Sequence, residues 1–431
     1  MSTTAPLRDA IAEALPDRPF RIDLWDGTSL PPTNGNGGGG PTFTVRSERA
    51  LAHALRAPGQ LGIGRAYVAG EIEVDDLDAV LDLLDTWKPP PLDLRTKATL
   101  AAAAVRATGP TLPPKPPAAE LRPIGRRHSR ERDLRAVRHH YDVGNEFFSL
   151  FLDASMTYSC AIFSRGAQTL EDAQVTKLDL VCRKLALKSG ERLLDVGCGW
   201  GSFIVHAAKN YGVRATGVTL SEPQAVRARQ RAEEAGVSDL VDVHVMDWRD
   251  LSGEPFDKIA SIGMVEHVGS ANIDAYAERL SSLLRPGGWL LNHGIARLRH
   301  TDPEAGPFSE RFVFPDAAPL HVSRICFAIE RGGLVPQTVE GFHADYAETL
   351  KHWGERLDAN HARALELAGP ERMRVWRLYL RTARRGFESG FIGLFQVLAQ
   401  KPDGRPVVLR RDEPGAPPVG PAQPLGGSER A

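Results

Sequence analysis

No apolar run in this 431-residue chain reaches the ~20 residues needed to span a bilayer, so any work on lipid must be done from the membrane surface. Cysteine is scarce. The four present are scattered and do not form a disulfide framework, which fits a reducing cytosol. Charge of either sign is not in excess: 53 Lys and Arg against 54 Asp and Glu leave a net charge of -1, and no global field points to nucleic acid. Residues 1–16 hold acids and no apolar core, so a secretory signal is not expected there. Ordinary proportions remain, 42% hydrophobic and 25% charged, and the length suggests two or three domains.

One stretch organises the rest: Leu193-Leu194-Asp195-Val196-Gly197-Cys198-Gly199-Trp200-Gly201. Leu193 to Val196 reads as a buried parallel strand ending near a carboxylate. Gly197, Gly199 and Gly201 let the backbone turn sharply and approach a ligand, and a helix follows from Ser202. The spacing is not the dinucleotide fingerprint Gly-x-Gly-x-x-Gly, because Ser202 stands at the sixth position. Asp-x-Gly-x-Gly-x-Gly after a strand is instead the mark of a class I S-adenosylmethionine site, with Asp195 near the ligand's charged or hydroxylic groups.

Four regions are expected. Residues 1–90 read as a small α+β accessory module, either a scaffold or a substrate-binding element, with a flexible glycine run inside 33–41. Residues 91–137 form a linker, proline-rich at 110–117. From 122 to 140 the chain is strongly basic, which suits either a solvated helix face or a patch for anionic lipid head groups. Residues 138–401 alternate strand and helix, with strands at 193–196, 213–219, 241–246, 256–262, 289–293 and 393–399. That alternation predicts an α/β fold with a doubly wound parallel sheet and helical insertions. Residues 402–431, rich in Pro and Gly, are expected to be disordered.

Ligands of such sheets sit at the C-terminal strand ends. Those ends carry Asp195, then Thr219-Leu220-Ser221-Glu222-Pro223-Gln224, then Asp247-Trp248, then Gly263-Met264-Val265-Glu266-His267, then His293-Gly294-Ile295. Acids, amides, hydroxyls and an indole suit an adenosine with a charged tail: Asp247 for the adenine amino group, Trp248 for stacking. Ser221-x-x-Gln224 also fits a helix capping box.

With His140-Tyr141-Asp142-Val143-Gly144-Asn145, Tyr158-Ser159-Cys160, Gly217-Val218-Thr219-Leu220-Ser221, Gly263 to Gly269 and Phe314-Pro315 added, residues 138–401 resemble the cyclopropane fatty acid synthase family and its mycolic acid relatives. The N-terminal region resembles that family's accessory domain through Gly64 to Glu71. The resemblance implies S-adenosylmethionine as methyl donor, held by Tyr158, Ser159, Asp195, Gly197, Gly199, Gly201, Thr219, Leu220, Gln224, Asp247 and Trp248. It implies a bicarbonate ion on Cys160, Glu266, His293, Ile295 (through its carbonyl) and Tyr346, and no metal. The substrate it implies is the double bond of an unsaturated phospholipid acyl chain. The product it implies is a cyclopropane or a methylene-branched chain, a reductase being a further partner in the second case. A cytoplasmic enzyme peripheral at the inner membrane surface is expected, with a homodimer as one assembly. The alternative is a methyltransferase of a small soluble molecule.

The chemistry is coherent. An alkene is a poor nucleophile and needs proximity and a dry site. Attack on the methyl group leaves a carbocation, which aromatic faces can stabilise, and a base must then remove a proton. Phe147, Phe148, Phe312 and Phe314 are candidate faces, and an ordinary core role is as good for each. Glu146 is a candidate for positioning the cation or the proton.

Overall fold

The protein's fold is given by a computed structural model that describes residues 4–33, 40–57, 59–109, 114–122, 124–141, 143–303 and 306–405. The glycine run at 34–39, residues 110–113 of the linker, Asp142 and the tail from 406 lie outside the described residues. The chain divides into two compact units. One takes described residues up to 150 together with 306–316 and 353–385, and the other takes 151–303, 317–352 and 386–405.

In the first unit a small sheet has the order β2-β1-β3-β4, with β1 at Arg21–Asp23, β2 at Ser29–Leu30, β3 at Thr42–Val45 and β4 at Ile72–Val74. Leu7, Leu24, Leu30, Val45, Ala50 and Ala66 close its core. The glycine-rich stretch that the sequence leaves undefined is a helix, Gln60–Val68. Glycine weakens a helix by roughly 1 kcal/mol in isolation. Here its bareness permits close packing: a Cβ on Gly64 would stand 2.6 Å from the Phe308 ring. The aromatic residues near 140 form a cluster in this unit. His140 stacks on Phe314 with ring centroids 4.3 Å apart, and Phe147 and Phe148 both pack on Trp376.

The second unit is a seven-stranded sheet built from β5 (Arg192–Val196), β6 (Arg214–Thr219), β7 (Val241–Val245), β8 (Phe256–Ile262), β9 (Leu284–Arg297), β10 (Val335–Gly341) and β11 (Ile392–Gln400). Its order is β10-β11-β9-β8-β5-β6-β7. β5 to β9 are parallel, as the alternation predicts. The expected all-parallel sheet needs one correction: β11 runs antiparallel to β9, and β10 antiparallel to β11. β10 escapes a sequence reading because it is a partly exposed edge strand carrying Pro336, with a bulge between Pro336 and Thr338. Ahead of β11 the chain forms two long helices, His343–Ala359 and His361–Glu388. The second is broken at Gly369 (φ 74°), just before Pro370.

The chain runs outward from β5 to β7 and then returns to β8 on the other side of β5. This reversal opens a crevice at the C-terminal ends of β5 and β8. Helices cover both faces, with Val181, Leu185, Phe203 and Ile204 on one side and Tyr276, Leu280, Ile325 and Ile329 on the other. Among the described residues, no helix is long and apolar enough to cross a membrane.

The glycine loop lies at this switch point. Gly201 has φ +82°, and a Cβ there would meet Ala228 Cβ at 2.8 Å; Gly199 has φ +52° with nothing within 4 Å of a Cβ. Gly201→Ala should therefore lose about 2 kcal/mol or more of stability through strain plus overpacking, and Gly199→Ala about 1 kcal/mol through the left-handed backbone alone. Urea unfolding of both variants checks the ranking. Equal losses would remove the packing argument.

Candidate active site

Asp195 stands one residue from the end of β5 and is only 2% exposed. Its Oδ1 has no hydrogen-bond partner within the protein. Burial pushes its carboxyl up to about 7 against the pull of the Lys177 ammonium. Beyond it the loop is pinned to β6, where Gly197 and Cys198 both donate N–H to the Val218 carbonyl, at 3.0 and 2.9 Å. Gly197, Gly199 and Gly201 all have positive φ, and Gly197 is exposed at the loop surface. Open space over Gly199 leaves room for a ligand beside a helix N-terminus at Ser202.

Tyr158, Ser159 and Cys160 are held in place from the helix Leu170–Lys184. Gln174 Nε2 donates to the Thr157 and Ser159 carbonyls at 3.2 and 2.9 Å, and Lys177 Nζ donates to Ser159 Oγ at 2.9 Å. Lys177 is 1% exposed, and burial depresses its ammonium to about 8 while Asp153, Cys160 and Asp195 pull it back up. The same charge acts on His293. One buried cation thus lies within electrostatic reach of three of the sequence-predicted site residues. Sequence reasoning missed Lys177 and Gln174. The signal was available: both fall in phase with Leu170, Ala173, Leu178 and Val181 on the helix's buried stripe, where a lysine and a glutamine require a polar purpose.

At the end of β6, Thr219 Oγ1 donates to Gln224 Oε1 at 2.7 Å and accepts the Ser221 N–H at 3.2 Å. The expected capping box is not formed, because Ser221 makes no side-chain cap and Gln224 is engaged by Thr219 instead. Leu220 is half-buried between them. Asp247 differs from expectation too. Its two carboxylate oxygens receive Arg249 Nε and Nη2 at 2.7 and 2.6 Å. An adenine amino group would compete with this fork or add to it. Trp248 is half-buried, edge-on to Tyr276 with ring centroids 5.3 Å apart.

After β8 the chain enters a short turn that buries Glu266 to 7% exposure. Burial raises its carboxyl to about 7, opposed by N–H groups of Glu266 and Ile295, and its Oε2 has no protein partner. A Cβ on Gly294 would stand 3.1 Å from that oxygen, which places the carboxyl against the 293–295 segment of β9. His293 is fully buried, and burial together with the charges of Lys177 and Lys184 holds its pKa well below the ordinary value. It is therefore neutral, and its Nε2 has no protein partner. Cys160 Sγ lies 3.8 Å from the Phe342 carbonyl, which also accepts the Tyr346 N–H at 3.2 Å. Burial pushes the Cys160 thiol well above its usual value, so it is no nucleophile at neutral pH.

An unpartnered buried polar group costs about 1–3 kcal/mol. Asp195 Oδ1, Glu266 Oε2 and His293 Nε2 all bear that cost at one edge of one sheet. Such a set fits polar ligands. Asp195 suits a donor on a cofactor. A neutral imidazole beside a carboxyl near 7 suits a small oxyanion that carries its own proton, as bicarbonate does. Glu146 is placed differently. It belongs to the first unit, and its largely exposed carboxylate receives Arg363 Nε at 3.0 Å.

Residues 128–397 match the family described as mycolic acid cyclopropane synthetase. A probable fatty acid methyltransferase of Mycobacterium tuberculosis is 38% identical over 406 residues, covering 92% of this chain and 94% of that protein. The cyclopropane-fatty-acyl-phospholipid synthase of Escherichia coli K12 is 35% identical over 341 residues, covering 79% of this chain and 83% of that one. Among solved structures, the cyclopropane synthase MmaA2 from Mycobacterium tuberculosis superposes with TM-score 0.60 at 32% identity, over 62% of this chain and 98% of its own. A mycolic acid cyclopropane synthase complexed with SAH and CTAB does so with TM-score 0.59 at 32% identity, over 62% and 98%. The fold is that of the class I methyltransferases.

The raised carboxyl of Glu266 has a measurable consequence. The group binds its proton more tightly in the folded chain, so the stability it contributes is complete below about pH 4.5 and is lost as pH rises through about 7. Glu266→Gln removes that loss. The stability difference between variant and parent should move in the variant's favour by about 3 kcal/mol between pH 4.5 and pH 8. Urea unfolding of both proteins at the two pH values measures it, and a difference independent of pH would contradict the burial of an ionisable Glu266.

Proposed function

Because the chain belongs to the mycolic acid cyclopropane synthetase family, we propose that it alkylates the double bonds of unsaturated phospholipid acyl chains, using S-adenosylmethionine. The observation that supports this reading most directly is the trio of buried, unpartnered atoms at the strand ends, Asp195 Oδ1, Glu266 Oε2 and His293 Nε2. They are the residues that a donor and a small proton-accepting anion would satisfy.

S-adenosylmethionine, when bound, supplies an electrophilic methyl group. Asp195, Tyr158, Ser159, Thr219, Leu220, Gln224, Asp247 and Trp248 hold and orient it, and Gly197, Gly199 and Gly201 keep the loop clear. Lys177 fixes Ser159 and so the segment that carries Tyr158 and Cys160. An alkene held there would take the methyl group as its S–C bond breaks and S-adenosylhomocysteine leaves, and a carbocation would remain at the neighbouring acyl carbon. Water must be kept from that cation, and the full burial of Cys160 and His293 serves this. Cys160, Glu266, His293, the Ile295 carbonyl and Tyr346 would hold a bicarbonate ion, which would supply the base. Loss of a proton from the new methyl group with ring closure yields a cyclopropane. If a hydride first shifts to the cationic carbon, loss of a methyl proton yields an exocyclic methylene, which a reductase partner would saturate. Glu146, paired with Arg363 in the first unit, is the candidate for positioning the cation or the proton, and Glu146→Gln with unaltered rate and products would remove it from the mechanism. The enzyme works as a peripheral protein at the inner membrane surface, and a homodimer is one form it takes there.

The test is incubation with unsaturated phospholipid vesicles and labelled donor, followed by mass spectrometry and proton NMR of the lipid. Expected is a mass gain of one CH2 group with either upfield ring protons or vinylidene protons. Intact lipid with unconsumed donor would overturn the reading. Donor turnover on a soluble acceptor without lipid would favour a small-molecule methyltransferase.

A further inference from the structure

His293 lies on β9 directly opposite Gln396 on β11. Gln396 is fully buried, and its side chain bridges two groups. Its Oε1 receives Lys184 Nζ at 2.7 Å, and its Nε2 lies 3.1 Å from His293 Nδ1. Lys184 also donates to Glu340 Oε2, and its side chain is 9% exposed.

The order of these contacts determines where a proton sits. An ammonium has only hydrogens to offer, so the amide oxygen must face Lys184 and the amide nitrogen must face the imidazole. An amide N–H can only donate, so Nδ1 of His293 must accept. A neutral imidazole has one ring proton, and with Nδ1 accepting, that proton is on Nε2. Nε2 is the ring atom with no partner in the protein.

We propose that Lys184 and Gln396 are positioning residues that lock His293 in its Nε2–H tautomer, so that the ring donates a hydrogen bond to a small oxyanion bound beside Glu266. The proposal rests on the anion site of the functional reading and adds to it the reason the site accepts an anion. With the opposite tautomer, His293 would turn a lone pair on the anion and repel it. The relay also accounts for a buried glutamine and a nearly buried lysine behind His293.

Gln396→Glu tests it, since a carboxylate of the same size still pairs with Lys184 but accepts the proton from Nδ1. With 15N-histidine labelling of the full chain, and His293 assigned by loss of its signals in His293→Asn, long-range proton–nitrogen NMR reads the tautomer without ligand or turnover. The parent protein should give a protonated Nε2, and Gln396→Glu a protonated Nδ1. The bicarbonate concentration that half-saturates the rise in melting temperature, in carbonate-depleted buffer, should increase about tenfold or more in the variant. Binding of S-adenosylhomocysteine by calorimetry should be unchanged. If Gln396→Glu does not fold, Lys184→Met releases the amide to rotate and should give both tautomers. A protonated Nδ1 in the parent, or a tautomer indifferent to both substitutions, overturns the proposal. So does a tautomer switch with unchanged bicarbonate binding. A switch with weakened bicarbonate binding in a protein that leaves lipid untouched keeps the relay and removes the lipid reading.

Discussion

A lysine ammonium taken out of water is the constraint around which the second unit's site is arranged. Lys177 is 1% exposed, and an isolated buried charge costs several kcal/mol. The fold answers with Ser159 as a direct acceptor and with Asp153 and Asp195 within electrostatic reach. Each answer is also a constraint on the site. Ser159 is fixed beside Tyr158 and Cys160. Asp195 is kept close to a positive charge, and His293 is kept neutral. Burial sets the site's protonation pattern, and the Lys177 charge adjusts it at Asp195 and His293. Desolvation wins over pairing at both carboxyls, which is why Asp195 and Glu266 are both raised to about 7.

The same economy runs through the strand ends. Asp195 Oδ1, Glu266 Oε2 and His293 Nε2 lack partners there, while Thr219 and Asp247 are fully engaged. Thr219 is hydrogen-bonded on both sides, and Asp247 is gripped by Arg249. An engaged side chain resists reorientation, and an unengaged one waits for a partner. The contrast between Asp195 and Asp247, two acids at strand ends on either side of β6, separates a residue poised for a ligand from one whose ligand must compete with an arginine.

What was legible in the sequence was what short stretches encode. The buried run 193–196, the glycines behind it and the βα alternation each depend on neighbours a few residues away, and the five parallel strands lie where the pattern placed them. Residues whose meaning depends on a distant partner were not legible. Gln396 reads as one polar position in an apolar strand until β11 is paired with β9 in register. Gln60–Val68 reads as a broken stretch until Phe308 is packed against Gly64. The capping box at Ser221 failed for the same reason, since Thr219 took the glutamine that the local pattern reserved for the cap. The glycine loop and the strand before it were local and readable; the charge and proton pattern behind them was tertiary.

The two outer strands of the large sheet bear on how the protein behaves at high concentration. β10 carries Pro336, which has no N–H to offer a neighbour, and a bulge that breaks its ladder at Thr338. β7 is five residues long, exposes Asp242 and His244, and has the Val243 carbonyl taken by Arg229 Nη2 at 2.7 Å. Neither rim offers a stranger a clean row of donors and acceptors. Strand-by-strand growth into fibrils has no template in this sheet's described rims, which guards the protein against β-type aggregation when it is crowded.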